Sequence, residues 1–302
     1  MSELLHIFQM TSKPYLTGEE QQRFWRRVHR YMLQKKRWWR QSMDRIGIDL
    51  IYEGTNPYNV YMTLPQHLIN HFPQYPRAKE RRSRGNWSYP TVDLTALAVP
   101  AHLSVCELKL NFDQMFSLPS SDVIFPDHLL LEEGERARVS FTLVPVEKQL
   151  NRKNHHVFHT KMENGFRPYR QASHWFIVFI NWLRRIVFKR ELGEQGQPFL
   201  SRETLRKLND SHFSVKIRVA AEQRVLPKLT LPFTELKGEN ELKIQFLAKS
   251  EQKSSLREMN RLKTGGRHLS DQNLLGGREL SYLFSFLSEQ EQPSEKIARS
   301  HF

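Results

Sequence analysis

Between Ile46 and Pro76 the chain reads IGIDLIYEGTNPYNVYMTLPQHLINHFPQYP. Ile46, Ile48, Leu50 and Tyr52 alternate with Gly47, Asp49 and Ile51, close to the period of two that half-buries a strand. Gly54-Thr55-Asn56-Pro57 is a turn cluster, because these residues accept the backbone angles of a tight reversal. Tyr58, Val60 and Met62 alternate again, with Tyr61 on the opposite face. Thr63 and Gln66 fit a capping box, and Pro65 is tolerated in a first helical turn. The spacing predicts a short helix from Gln66 to Phe72, ended by Pro73 and Pro76.

Upstream, residues 1–16 are mixed and read as a loosely held arm. Thr17 followed by Glu20 makes a second capping box, and a helical pattern runs from there to about Arg45. Trp25, Val28, Met32, Trp39 and Met43 fall near one face, which Lys35 and Lys36 interrupt. Arg23, Arg26, Arg27, Arg30, Arg37 and Arg40 make the remainder basic. Basic charge beside Trp25, Trp38 and Trp39 suits a helix lying on anionic lipid. The same pattern equally fits a solvated basic helix whose tryptophans pack on the next domain.

Downstream, Arg77, Lys79, Arg81, Arg82 and Arg84 form a basic run with the residue types that contact phosphates. Trp87 and Tyr89 beside it could stack on bases. A solvated loop or an interdomain edge accounts for the same residues. The apolar runs VDLTALAVP and LSVCELKL, within 91–110, read as strands, and Asp127 to Leu131 as a helical turn. Ala137 to Val146 alternates as a strand. Residues 147–172, basic and His-rich, read as a linker. Trp175 to Phe188 is the most apolar stretch and contains Trp182. A spanning helix needs about 20 apolar residues, and Arg184 and Arg185 cut this one short, so it reads as a buried or interfacial amphipathic helix. Ser201 caps a helix over 202–208, His212 to Ala221 is a strand, and Glu241 to Leu247 is another. Pro227 and Pro232 argue against a regular long helix around Val225, Leu229 and Phe233. Residues 248–267 are a loop or exposed helix, and Leu280, Leu283, Phe284 and Leu287 line one helical face.

The plan expected is α+β, with two ferredoxin-like (split βαβ) units, a long basic N-terminal helix and an amphipathic linker helix. The divisions are a helical arm at 1–45, a first domain at 46–146, a linker at 147–200, a second domain at 201–287 and a polar tail at 288–302.

Charge limits the function classes. Lys and Arg number 46 against 32 Asp and Glu, a net +14, which favours a polyanion, either nucleic acid or an anionic membrane surface. One cysteine, Cys106, excludes a disulfide framework and a Cys-rich zinc site. With no secretory signal pattern, the expected compartment is cytoplasmic. His155, His156 and His159 read as polar-loop residues more readily than as zinc ligands. His67 and His71 have ligand spacing but no intervening Glu for a zinc-hydrolase pattern. No Gly-flanked serine motif and no paired carboxylates point to an enzyme. No cofactor is expected.

Four stretches together resemble the region preceding the motor domain in VirD4/HerA-like conjugative DNA-transfer ATPases of type IV secretion systems, of the kind carried on Gram-positive mobile elements. They are IDLIYEGTNPYNVYMTLP with its following helix and QYP, ERARVSFTLVPVE, HFSVKIRVAAEQR with the later turn GENEL, and GGRELSYLFSFLSE. They are spread across residues 46–287. The resemblance implies a non-catalytic component of a DNA-translocation apparatus, partnered by a motor ATPase or by copies of itself, at the inner face of the cell membrane or on the transported DNA. The chain departs from those ATPases in lacking GxxxxGK[ST]: neither Gly265-Gly266 nor Gly276-Gly277 is followed by the needed Lys-Ser/Thr. Nucleotide hydrolysis is therefore not expected of it. The competing readings are an independent nucleic-acid-binding protein and a peripheral membrane protein held by 19–45 and 175–188.

Overall fold

Ile48 and Asp49 are adjacent in sequence and point to opposite faces of one antiparallel sheet. The computed structural model describes residues 5–10, 18–34, 45–65, 97–147, 158, 200–260 and 273–285. These are α+β. The strands are β1 (Leu5–Met10), β2 (Ile46–Glu53), β3 (Asn59–Pro65), β4 (Ser104–Leu110), β5 (Arg136–Pro145), β6 (His212–Ala221), β7 (Leu242–Phe246) and β8 (Asn273–Gly276). The helices are α1 (Gly18–Gln34), α2 (Arg202–Leu208), α3 (Leu226–Thr234), α4 (Lys249–Asn260) and α5 (Gly277–Leu283). Sheet order is β1-β3-β2-β5-β6-β4-β7, and β8 pairs with β6. The β2–β3 hairpin turns at Gly54, whose φ of 56° suits a residue without a Cβ.

Register sorts the side chains into rows across the sheet. One row is Met62, Ile48, Phe141, Ile217, Leu108 and Ile244. Beside it, on the other face, run Tyr61, Asp49, Ser140, Arg218, Glu107 and Gln245. The apolar face carries the main core. It is closed by Phe24, Trp25, Val28 and Met32 of α1, by Leu226, Leu229 and Phe233 of α3, and by Leu280 and Leu283 of α5. The polar face is covered in part by a second cluster, in which Leu256 and Met259 of α4 meet Val99, Leu103, Val105 and Ala220. A third cluster gathers Met115, Val146, Leu208, Leu274 and Phe158; Phe158 comes from the expected linker.

Polar side chains finish what the ladders leave open. β4 and β8 lie along the same side of β6, β4 from Ile217 to Ala221 and β8 from His212 to Val215. Asn273 joins them: its Oδ1 accepts from the Leu110 N–H at 2.8 Å and its Nδ2 donates to the Leu108 carbonyl at 2.8 Å. The carboxamide thus stands in for a missing strand residue. Ser201 caps α2 as expected, accepting from the Thr204 N–H at 3.1 Å. At α5 the direction reverses: Glu279, in the first turn, accepts from the N–H of the N-cap residue Gly276 at 2.7 Å. Its other oxygen takes the Leu118 N–H at 2.7 Å and, at 3.1 Å, the buried Lys207 ammonium.

Several expectations are corrected. The strands assigned to two ferredoxin-like units share one sheet: β5 pairs with β6 across the supposed linker, and β4 sits between β6 and β7. The N-terminal arm contains a strand, since the Leu5–Met10 backbone pairs with β3. α3 forms despite its prolines. Pro227 lies in the first turn, where an N–H has no helical partner anyway, and Pro232 lies near the last turn. Asp127–Leu131 is not helical; it lies along the hairpin, with the Tyr58 N–H donating to the Asp127 carbonyl at 3.3 Å and the Tyr52 hydroxyl to the Pro126 carbonyl at 3.0 Å. Asn273–Gly276 is a strand, and α5 ends at Leu283. The helices expected over 66–72 and 175–188, the end of the first helix beyond Gln34, and the tail from Ser288 lie outside the described residues.

Candidate nucleic-acid interface

α1 begins from a simple spacing. Gln21, Phe24, Trp25, Val28 and Met32 are its buried residues, separated by three and four positions so that they form one stripe. That stripe docks where β6 meets α5. The Trp25 ring sits 5.3 Å from Phe284 and 6.0 Å from Phe213. Gly277 permits this approach, because a Cβ there would meet the Trp25 Cβ at 3.4 Å. His29 completes the contact: Nε2 lies 3.1 Å from the Val146 carbonyl and the ring 5.2 Å from Phe213. Burial holds the His29 imidazole below its usual value, although the Val146 and His212 carbonyls and the Asp210 charge act the other way.

The opposite side of α1 is basic. Arg23, Arg26, Arg27 and Arg30 are exposed there, with Tyr31 at its margin. At about 1.5 Å of rise per residue, Arg23 to Arg30 covers roughly 10 Å. Arg23 pairs with Glu19 at 3.3 Å with both side chains largely in water. Arg26 reaches Asp210 at 3.2 Å. The Asp210 carboxylate, its side chain 3% exposed, also accepts the Ser211 and Arg278 N–H groups at 2.8 and 2.9 Å, which ties α1 to the start of α5.

This placement corrects one expected membrane contact. Trp25 is 1% exposed and belongs to the core, so the outward face of the described part of α1 is arginine with Tyr31 at its margin. Such a face fits phosphates better than it fits acyl chains. Trp38, Trp39 and Trp182 lie outside the described residues, as do Arg77, Lys79, Arg81, Arg82, Arg84 and the histidines at 67, 71, 155, 156 and 159. The signal for Trp25 was present in the sequence: Phe24, Val28 and Met32 share its phase. What the spacing does not carry is whether that stripe meets lipid or protein.

The charges on the sheet's polar face answer one another. Arg138 and Asp49 are both fully buried and pair at 2.8 Å. Arg138 also donates to the Leu97 and Met259 carbonyls at 2.6 and 3.3 Å, so one guanidinium fixes two covering segments. Arg218 bridges Glu107 at 3.3 Å and Glu258 at 2.6 Å, and Lys216 reaches Glu107 at 3.0 Å. These groups bind strand to strand and, through Glu258, the sheet to α4. Gly276-Gly277 has a packing role as well, since a Cβ on Gly276 would meet Asp210 Oδ2 at 3.3 Å. Cys106 is buried, and desolvation pushes its thiol up to about 12. Among the described residues no three His, Cys, Asp or Glu side chains are grouped to hold a metal ion. No helix among them is long and apolar enough to cross a membrane. No protein-family model matches the chain, and comparison with curated proteins finds no match.

Proposed function

We propose that this chain is a non-catalytic component of a conjugative DNA-translocation apparatus, of the kind that stands before a motor ATPase core. The observation that carries this is where the family-like stretches fall. They supply β2, β3, β5, β6 and α5; β3-β2-β5-β6 are contiguous in the sheet, and α5 directly follows β8, which pairs with β6. A resemblance scattered over unrelated surface would carry less than one concentrated in a single core. The partners proposed are a motor ATPase or further copies of the chain, with DNA beside them, at the inner face of the membrane.

The arginine side of α1 supports nucleic acid as the polyanion. Binding of labelled DNA to the purified full-length chain, followed from 50 to 200 mM salt, tests it. Each phosphate contact contributes about 0.9 to the log–log salt slope on duplex and about 0.7 on single strands. Arg23→Gln, Arg27→Gln and Arg30→Gln together are expected to flatten the slope by the corresponding two to three contacts, with the fold intact by circular dichroism. Co-purification with the motor ATPase of the same mobile element tests the assembly. Absence of both DNA binding and ATPase binding would remove the proposal.

A further inference from the structure

Across β3, β2 and β5 the register sets Thr63, Gly47 and Thr142 in one row, with Asp49 in the next. Asp49 is fully buried and Thr63 is 2% exposed. Asp49 Oδ1 takes the Arg138 Nε–H at 2.8 Å. Asp49 Oδ2 and Thr63 Oγ1 each have no hydrogen-bond partner among the described residues. Both residues line a cavity of about 10 Å³ that Gly47, Arg138, Thr142 and Glu258 also border. Glycine makes the room: a Cβ on residue 47 would stand 3.6 Å from Asp49 Oδ2 and 3.2 Å from the Thr63 Cβ.

We propose that this cavity is a binding site for a single water molecule that bridges Asp49 and Thr63. Its size fits one water. The chemistry selects a neutral donor. Asp49 Oδ2 can only accept, so the occupant must donate to it, which rejects an anion. The Asp49 charge is already met by Arg138, and Glu258 by Arg218 and Lys216, and Arg45 also borders the cavity, so no unbalanced negative charge calls for a cation. Thr63 can donate or accept, and completes the occupant's second bond. The water would close the polar junction of three strands next to the guanidinium that holds Leu97 and Met259.

The test is a crystal structure of the full chain at a resolution that shows ordered water, from both sodium and ammonium salts, together with Thr63→Val. The expected result is a peak about 2.7–3.2 Å from Asp49 Oδ2 and from Thr63 Oγ1, the same in both salts and lost or displaced in the valine variant. A Thr63 hydroxyl turned directly onto Asp49 with nothing between them overturns the proposal. So does an occupant that changes with the cation supplied, or a peak unmoved by Thr63→Val. Should the variant not fold, the wild-type chain still decides: a cross-relaxation signal of long-lived water to the Thr63 amide or methyl is expected, and its absence overturns the assignment.

Discussion

Arg138 shows how much one side chain can hold and how little of that its neighbours in sequence announce. In ERARVSFTLVP it alternates with Ala137 and Val139 as a solvent-facing arginine would. Alternation says only that it faces away from the apolar core, and the second face is closed from bulk solvent here because α4 and residues 97–103 cover it. Replacing Arg138 by Met leaves the Asp49 carboxylate buried without its cation. The expected loss is about 3–5 kcal/mol by urea unfolding, and adding Asp49→Leu is expected to recover part of it. Cys106 gives a second residue-scale check. With its thiol raised to about 12 by burial, iodoacetamide at pH 8 is expected to modify it far more slowly in the folded chain than in denaturant. Equal rates would mean that β4 opens readily.

Among the elements, α1 is the one whose attachment carries a functional reading. Trp25→Ala is expected to cost about 3–5 kcal/mol, visible as an earlier urea midpoint, because the ring fills the space between Phe213 and Phe284. The same junction is expected to weaken in acid. His29 has its folded value below the usual 6.5, so beneath that pH the unfolded chain binds a proton the folded chain resists. Stability is therefore full above about 6.5 and declines as pH falls towards the folded value. The urea midpoint should drop between pH 7.5 and 5.5, and His29→Gln should flatten that drop. Long alternating strands such as β2, β5 and β6, and the Ser201 cap, were legible in the sequence. β1 and β8 were not, because six and four residues are too few for a period to emerge. α3 was obscured because a proline count ignores position within the helix: Pro227 sits where no N–H is required. The basic side of α1 was legible as composition, while its facing was not, since Trp25 could as well have met lipid.

For the whole molecule, the decisive feature is the interleaving of early and late strands. The boundary between two units was a fair reading of composition, because a basic, His-rich stretch between apolar runs looks like a linker. Pairing across it is a long-range property that local pattern does not encode. Separately expressed residues 1–147 and 200–302 are each expected to lack a cooperative urea transition, and mixing or co-expression is expected to restore one. Two independently cooperative fragments would contradict the single sheet. The position of β6 also bears on synthesis at the ribosome. β4 and β5 both wait for it, and β4 ends at Leu110 while β6 begins at His212. At roughly 5–20 residues per second, that interval leaves the β4 backbone without its neighbour for about 5–20 s. A nascent chain of this design is expected to depend on chaperones that act at the ribosome, and slowing translation before His212 is expected to lower its soluble yield.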